Sequence, residues 1–144
     1  MGKDSSIVRK LVALTAVVAL VAATAAFAAT RHATGTFKGK TSQRENISLD
    51  VGATVVRNGH VTVRVTCVRN GRRRVLRDSA FIAGNIPINA DGTFGSRQKT
   101  SNGKFELRIA GQIAGRRASG RYSEQFTGRQ GTCRSGRVTW RVRR

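Results

Sequence analysis

The sequence predicts an all-β fold: an antiparallel meander of eight or nine short strands, closed into a β-barrel or, alternatively, folded as a β-sandwich, behind a secretory leader. Three observations predict it. Apolar and polar residues alternate with a period of two in several segments. Asn-Gly or Asp-Gly pairs punctuate those segments, at Asn58-Gly59, Asn70-Gly71, Asp91-Gly92 and Asn102-Gly103. No stretch after Ala28 spaces its apolar residues as a helix would.

The leader comes first. Lys3, Arg9 and Lys10 form a basic start, Leu11 to Ala23 an apolar run, and Ala26-Phe27-Ala28 a small-x-small cleavage pattern. That order is the bacterial export signal, with the cut after Ala28. No Cys follows the cut, which argues against a lipid anchor. The competing reading is a retained anchor, since Leu11 to Ala29 approaches the about 20 apolar residues that cross a bilayer. Residues 1–28 are thus expected to be a signal peptide and 29–144 a single domain with a modest core.

The strands follow in order. Candidates are 35–41, 46–56, 60–69, 72–81, 85–90, 93–99, 104–113, 117–125 and 132–143. Ile47, Leu49 and Val51 share one face; so do Val61, Val63, Val65 and Cys67. Phe105, Leu107 and Ile109 do the same, as do Val138, Trp140 and Val142. The turn pairs supply the positive φ that tight hairpins need. Ala114-Gly115-Arg116-Arg117 is expected as a further, longer turn. Glycines at strand positions (Gly35, Gly39, Gly95, Gly111, Gly120 and Gly136) favour the barrel, because they relieve crowding where coiled strands bend.

The only two cysteines, Cys67 and Cys133, both fall in the exported part. In an oxidising compartment they have one possible pairing. The bond closes a loop of about 65 residues, for which chain entropy gives roughly 4 kcal/mol. A metal site would need more ligands than these and His32 and His60 supply at such irregular spacing.

The segments Asp91-Gly92-Thr93-Phe94, Ile109-Ala110-Gly111-Gln112-Ile113, Ala118-Ser119-Gly120 and Gly131-Thr132-Cys133-Arg134-Ser135-Gly136-Arg137-Val138-Thr139-Trp140 carry a resemblance. Together they resemble a loose group of small exported β-rich proteins of high-GC Gram-positive bacteria. Its pattern is Asp-Gly-x-Phe, then Cys-x-x-Gly-x-Val-x-Trp. The resemblance covers roughly residues 60–143 and implies a fold but no chemistry. Thr34-Gly35-Thr36-Phe37 is faintly similar to the opening strand of biotin-binding and lipocalin-type barrels, with Phe37 in place of their tryptophan.

Charge is the strongest functional signal. The formal net charge is +20. Removing Lys3, Arg9, Lys10 and Asp4 with the leader leaves about +18, far beyond the about 2–8 that solubility asks of a small domain. Apart from Lys38, Lys40, Lys99 and Lys104, every cation of residues 29–144 is arginine. Arg69, Arg72, Arg73 and Arg74 surround one turn, Arg116 and Arg117 another, and Arg137, Arg141 and Arg143 alternate along the last strand. Guanidinium forks pair with phosphate and carboxylate oxygens. The expectation is an exported protein engaging an anionic cell-wall polymer or membrane surface. The plainer alternative is a solvated face whose arginines follow genome composition.

Other functions have less support. Single-strand nucleic-acid binding wants exposed aromatics among the basic residues, whereas the aromatics here fall mostly on apolar faces. A carrier of a small apolar ligand would line a barrel interior with Phe37, Phe105, Tyr122 and Trp140. A structural or inhibitory secreted domain would use its hairpin tips. No cofactor motif, nucleophile elbow or phosphate loop occurs, and no residue is assigned a catalytic or metal-binding role. A Glu45/Glu124 or Asp78/Glu124 pair would have to meet in space for acid–base chemistry. His32 is expected in a loose N-terminal stretch and His60 at an exposed turn.

Overall fold

The computed structural model describes residues 31–144; the leader and its cleavage site lie outside the described residues. Ten antiparallel strands follow: β1 (Gly35–Thr41), β2 (Asn46–Val51), β3 (Val55–Arg69), β4 (Arg72–Ile82), β5 (Ile86–Pro87), β6 (Thr93–Lys99), β7 (Phe105–Ala114), β8 (Arg117–Gly128), β9 (Gly131–Arg134) and β10 (Val138–Arg143). They lie in the order β10-β1-β2-β3-β9-β8-β7-β6, and β10 also pairs with β8. The six strands β10, β1, β2, β3, β9 and β8 therefore close a barrel, as the glycine-bearing strands predict. Strand β4 pairs only with β3, and β6 pairs with no strand but β7, its other side meeting only the isolated bridge Ile88–Phe94, so these two are edge strands.

The alternation in sequence becomes an inside and an outside. Phe37, Leu49, Val63, Val65, Ile109, Ile113, Tyr122, Val138 and Trp140 are buried in one core. Trp140 is seated by two glycines of facing strands. A Cβ on Gly111 or Gly120 would lie 2.6 and 2.5 Å from its indole, so side chains there would displace the largest core residue. Cys67 and Cys133 stand directly opposite in the β3–β9 ladder and form the expected disulfide. A disulfide of this kind belongs to an oxidising compartment.

The turn chemistry holds at Asn70-Gly71, where both residues have positive φ and Arg69 pairs with Arg72. It fails at Asn58-Gly59, which lies inside β3 rather than between strands. There the ladder with β2 shifts register at Asp50/Val51. Gly59 is needed for closeness instead: a Cβ would sit 2.8 Å from Leu49 and 3.0 Å from Ile82. The expected strand 46–56 instead breaks before β3, where Gly52 N–H donates to Val55 O. The expected strand 85–90 is reduced to Ile86–Pro87 with a bridge at Ile88.

The expected strand 132–143 is interrupted by a bulge. Gln125 faces Arg134 and Tyr122 faces Val138, so β8 advances three residues while its partner advances four. Gly136, at φ 68°, takes up the extra residue. The bulge bends the chain, so that β9 reaches β3 while β10 reaches β1. The turn at 114–117 is tighter than expected, with Ala114 paired directly to Arg117. His32 is not loose either: it bridges to Gly115, and its Nε2 lies 3.0 Å from Gly52 O.

Candidate anion-binding surface

Pleating sends alternate residues outward, and on several ladders it sets cation opposite cation. Like charges directly opposite on a sheet face repel. The protein answers this repulsion in two places with a carboxylate. Arg64 and Arg77 are cross-strand partners. Glu45, itself buried, binds Arg64 Nε at 3.2 Å and Arg77 Nε at 2.9 Å. The Arg77 guanidinium, with help from Arg64, outweighs burial and holds the Glu45 carboxyl below its usual range. Arg97 and Arg108 are the second pair. Glu106 binds each at 2.7 Å and Lys99 at 3.3 Å, which lowers its pKa to about 2.

A third group has no such bridge. Lys38 faces Arg143, and Arg143 faces Arg117, across β1, β10 and β8. Lys40 faces Arg141 in the next outward row, and Arg121 stands in the row after it, beside Thr139. All six are exposed. None of them forms an ion pair among the described residues. Arg116 lies at the same end of the face, its carbonyl accepting from Arg144 N–H at 3.0 Å. Arg137 shares a shallow depression with Arg108 and Arg121.

The nine arginines singled out from sequence thus divide. Arg116, Arg117, Arg141 and Arg143 gather on the β1–β10–β8 face, with Arg137 next to them. The β3–β4 tip is split by its own pleat. Arg69, Arg72 and Arg74 line one depression with Cys67, Asn70 and Gln130. Arg73 faces the other way, into a depression with Thr66, Val68, Thr132 and Arg134. Lys38, Lys40 and Arg121 are additions. Their outward direction is readable from the period-two pattern beside Phe37 and Tyr122. What a local pattern cannot supply is that β1 lies next to β10.

Of the aromatics considered for a ligand-lined interior, Phe37, Tyr122 and Trp140 are fully buried and Phe105 packs against the core half-buried. Phe94 fills space beside Trp140, with ring centroids 6.1 Å apart. None of the surface depressions described here is lined by Phe37, Phe105 or Trp140.

Of the two carboxylate pairs considered, Asp78 and Glu124 are neighbours. Glu124 is buried, and the Tyr122 hydroxyl donates to its Oε2. Its Oε1 has no hydrogen-bond partner. Burial, joined by the neighbouring Asp78 and partly opposed by the Tyr122 hydroxyl, raises the Glu124 pKa to about 7. Glu45 is engaged elsewhere with its two arginines. No group of three or more His, Cys, Asp or Glu able to hold a metal ion occurs among the described residues. No protein-family model, curated protein or solved structure matches the chain.

Proposed function

We propose that this is an exported, non-catalytic binding protein that holds an anionic envelope polymer on the outer face of β1, β10 and β8. The observation that carries the reading is the unbridged row Lys38–Arg143–Arg117, with Lys40 and Arg141 beside it. At Arg64/Arg77 and at Arg97/Arg108 the fold sets a carboxylate, Glu45 or Glu106, between facing cations. Here it supplies no anion, and an external one takes that role. A linear polymer with repeated phosphate or carboxylate groups suits a face in which cations recur from strand to strand, about 5 Å apart at Cβ. The export signal in the sequence and the disulfide support an extracytoplasmic setting.

The test is retention on isolated Gram-positive cell walls and on long-chain polyphosphate across a salt series. The wild type is expected to stay bound beyond about 0.15 M salt, where exposed charges are screened within about 8 Å. Lys38→Ser/Arg141→Ser/Arg143→Ser should elute earlier than a charge-matched control, Arg57→Ser/Lys104→Ser/Arg129→Ser. Co-elution of the two variants would reduce the face to general charge and overturn the proposal.

A further inference from the structure

Three large apolar side chains stand exposed among the described residues: Val68, Val75 and Phe81, at 43, 66 and 50%. All three lie on the β3–β4 hairpin, and all three point outward. Along β4 the outward residues are Arg73, Val75, Arg77, Ser79 and Phe81, because Leu76, Asp78, Ala80 and Ile82 turn inward. Across from them on β3 stand Val68, Thr66, Arg64, Thr62 and His60. His60 meets the Phe81 ring edge-on at 5.2 Å. Strand β9 extends the face, placing Thr132 beside Val68 and Arg134 beside Thr66.

We propose that this face seats on an anionic lipid bilayer, with Val68, Val75 and Phe81 entering the headgroup–acyl boundary and Arg73 and Arg134 holding lipid phosphates. The proposal goes beyond the polymer site and uses different residues. Arg73 and Arg134 line one open depression with Val68, so a headgroup between them lies next to an apolar anchor. Arg64 and Arg77 share Glu45, which cancels part of their charge and lowers the cost of bringing the middle of the hairpin close to acyl chains.

The spacing selects the partner. Val75 and Phe81 are six residues apart, about 20 Å along a strand, with Arg77 and Ser79 between them. A protein partner concentrates its anchors in one packed, desolvated centre, and this face has none. A hydrophilic polymer has no use for the apolar groups. A bilayer boundary accepts separated apolar side chains at one depth while guanidinium groups stay with the headgroups. Lys38, Ser48, His60 and Phe81 are successive cross-strand partners across β1, β2, β3 and β4, so the lipid face and the polymer face meet along this row but use different residues.

The experiment places a tryptophan reporter in the full chain, Phe81→Trp, with Val75→Trp as a second reporter should the first perturb folding. Trp140 is buried and serves as a constant background. Vesicles of phosphatidylglycerol and phosphatidylcholine with brominated acyl chains supply the quencher. The expected result is a blue shift and roughly twofold quenching of the added tryptophan, with no quenching of Thr139→Trp, which stands on β10 outside the proposed face. The quenching should persist in Lys38→Ser/Arg141→Ser/Arg143→Ser, which separates this result from the polymer test. Three outcomes would overturn the proposal: no vesicle binding, binding with both face reporters unquenched, or equal quenching at Thr139→Trp. The second would mean attachment by charge alone.

Discussion

Gln43 satisfies both backbone polar groups of Arg64: its Oε1 accepts from Arg64 N–H at 2.6 Å and its Nε2 donates to Arg64 O at 3.0 Å. The register explains why it must. Strand β4 occupies one edge of β3 from Gly59 to Arg69. On the other edge β2 pairs up to Val61 and β9 begins at Thr66. The residues between have no strand beside them there, and the Gln43 amide stands in for one. Gln98 does the same for Ala83, at 3.3 and 2.6 Å.

Gln43→Ala should therefore weaken the barrel where β2 gives way to β9. Two lost hydrogen bonds at about 1 kcal/mol each set the expected loss in urea unfolding. The Arg64 amide should also exchange its hydrogen faster. Gln43→Glu keeps an acceptor for Arg64 N–H but cannot donate to its carbonyl, so it should recover only part of the loss. An unchanged exchange rate in Gln43→Ala would show that the amide is not the strand substitute.

Glu124 gives stability an unusual pH dependence. Its folded pKa, about 7, lies above the ordinary value of 4.5. Between those values the folded protein holds a proton that the unfolded chain has released. Stability is then fully present below pH 4.5 and falls as pH rises through 7, by on the order of 3 kcal/mol for this one group. Glu45 and Glu106, with lowered pKa values, work in the opposite sense and lose their contribution only as pH falls below about 4.5. Urea midpoints at pH 5 and pH 8 should differ in the wild type, and the difference should shrink in Glu124→Gln. A variant that keeps the full difference would move the titration to another group.

Glu106 offers a gain-of-function test of the charge argument. Glu106→Gln removes the anion shared by Arg97, Arg108 and Lys99 and creates a further unbridged set of cations. The variant should then elute from polyphosphate at higher salt than the wild type. A conserved elution point would mean that unbridged pairs do not recruit external anions.

The sequence carried the fold class well, because period-two alternation is a local property that survives into the barrel. Phe37, Leu49, Val63, Ile109 and Trp140 point inward as that pattern requires. Its errors arise where a local signal has two physical causes. The Asn58-Gly59 pair reads as a turn, but Gly59 serves the close approach of Leu49 and Ile82. The run from Thr132 to Arg143 reads as one strand, but Gly136 bends it between two partners. For the candidate site, the arginines were legible one by one. Their grouping was not, because the row Lys38–Arg143–Arg117 joins strands nearly a hundred residues apart. Phe81 is not singled out by the sequence pattern; β4 lies at an edge and turns it outward.

That same joining of distant strands governs when the protein can form. Hairpins such as β3–β4 and β7–β8 need only their own residues. Ring closure waits for β10, which must find β1 on one side and β8 on the other. Cys67 likewise has no mate until Cys133 appears. Contacts of such long sequence separation form slowly. A growing chain therefore cannot close its ring, or join its two cysteines, before the last strands have been made.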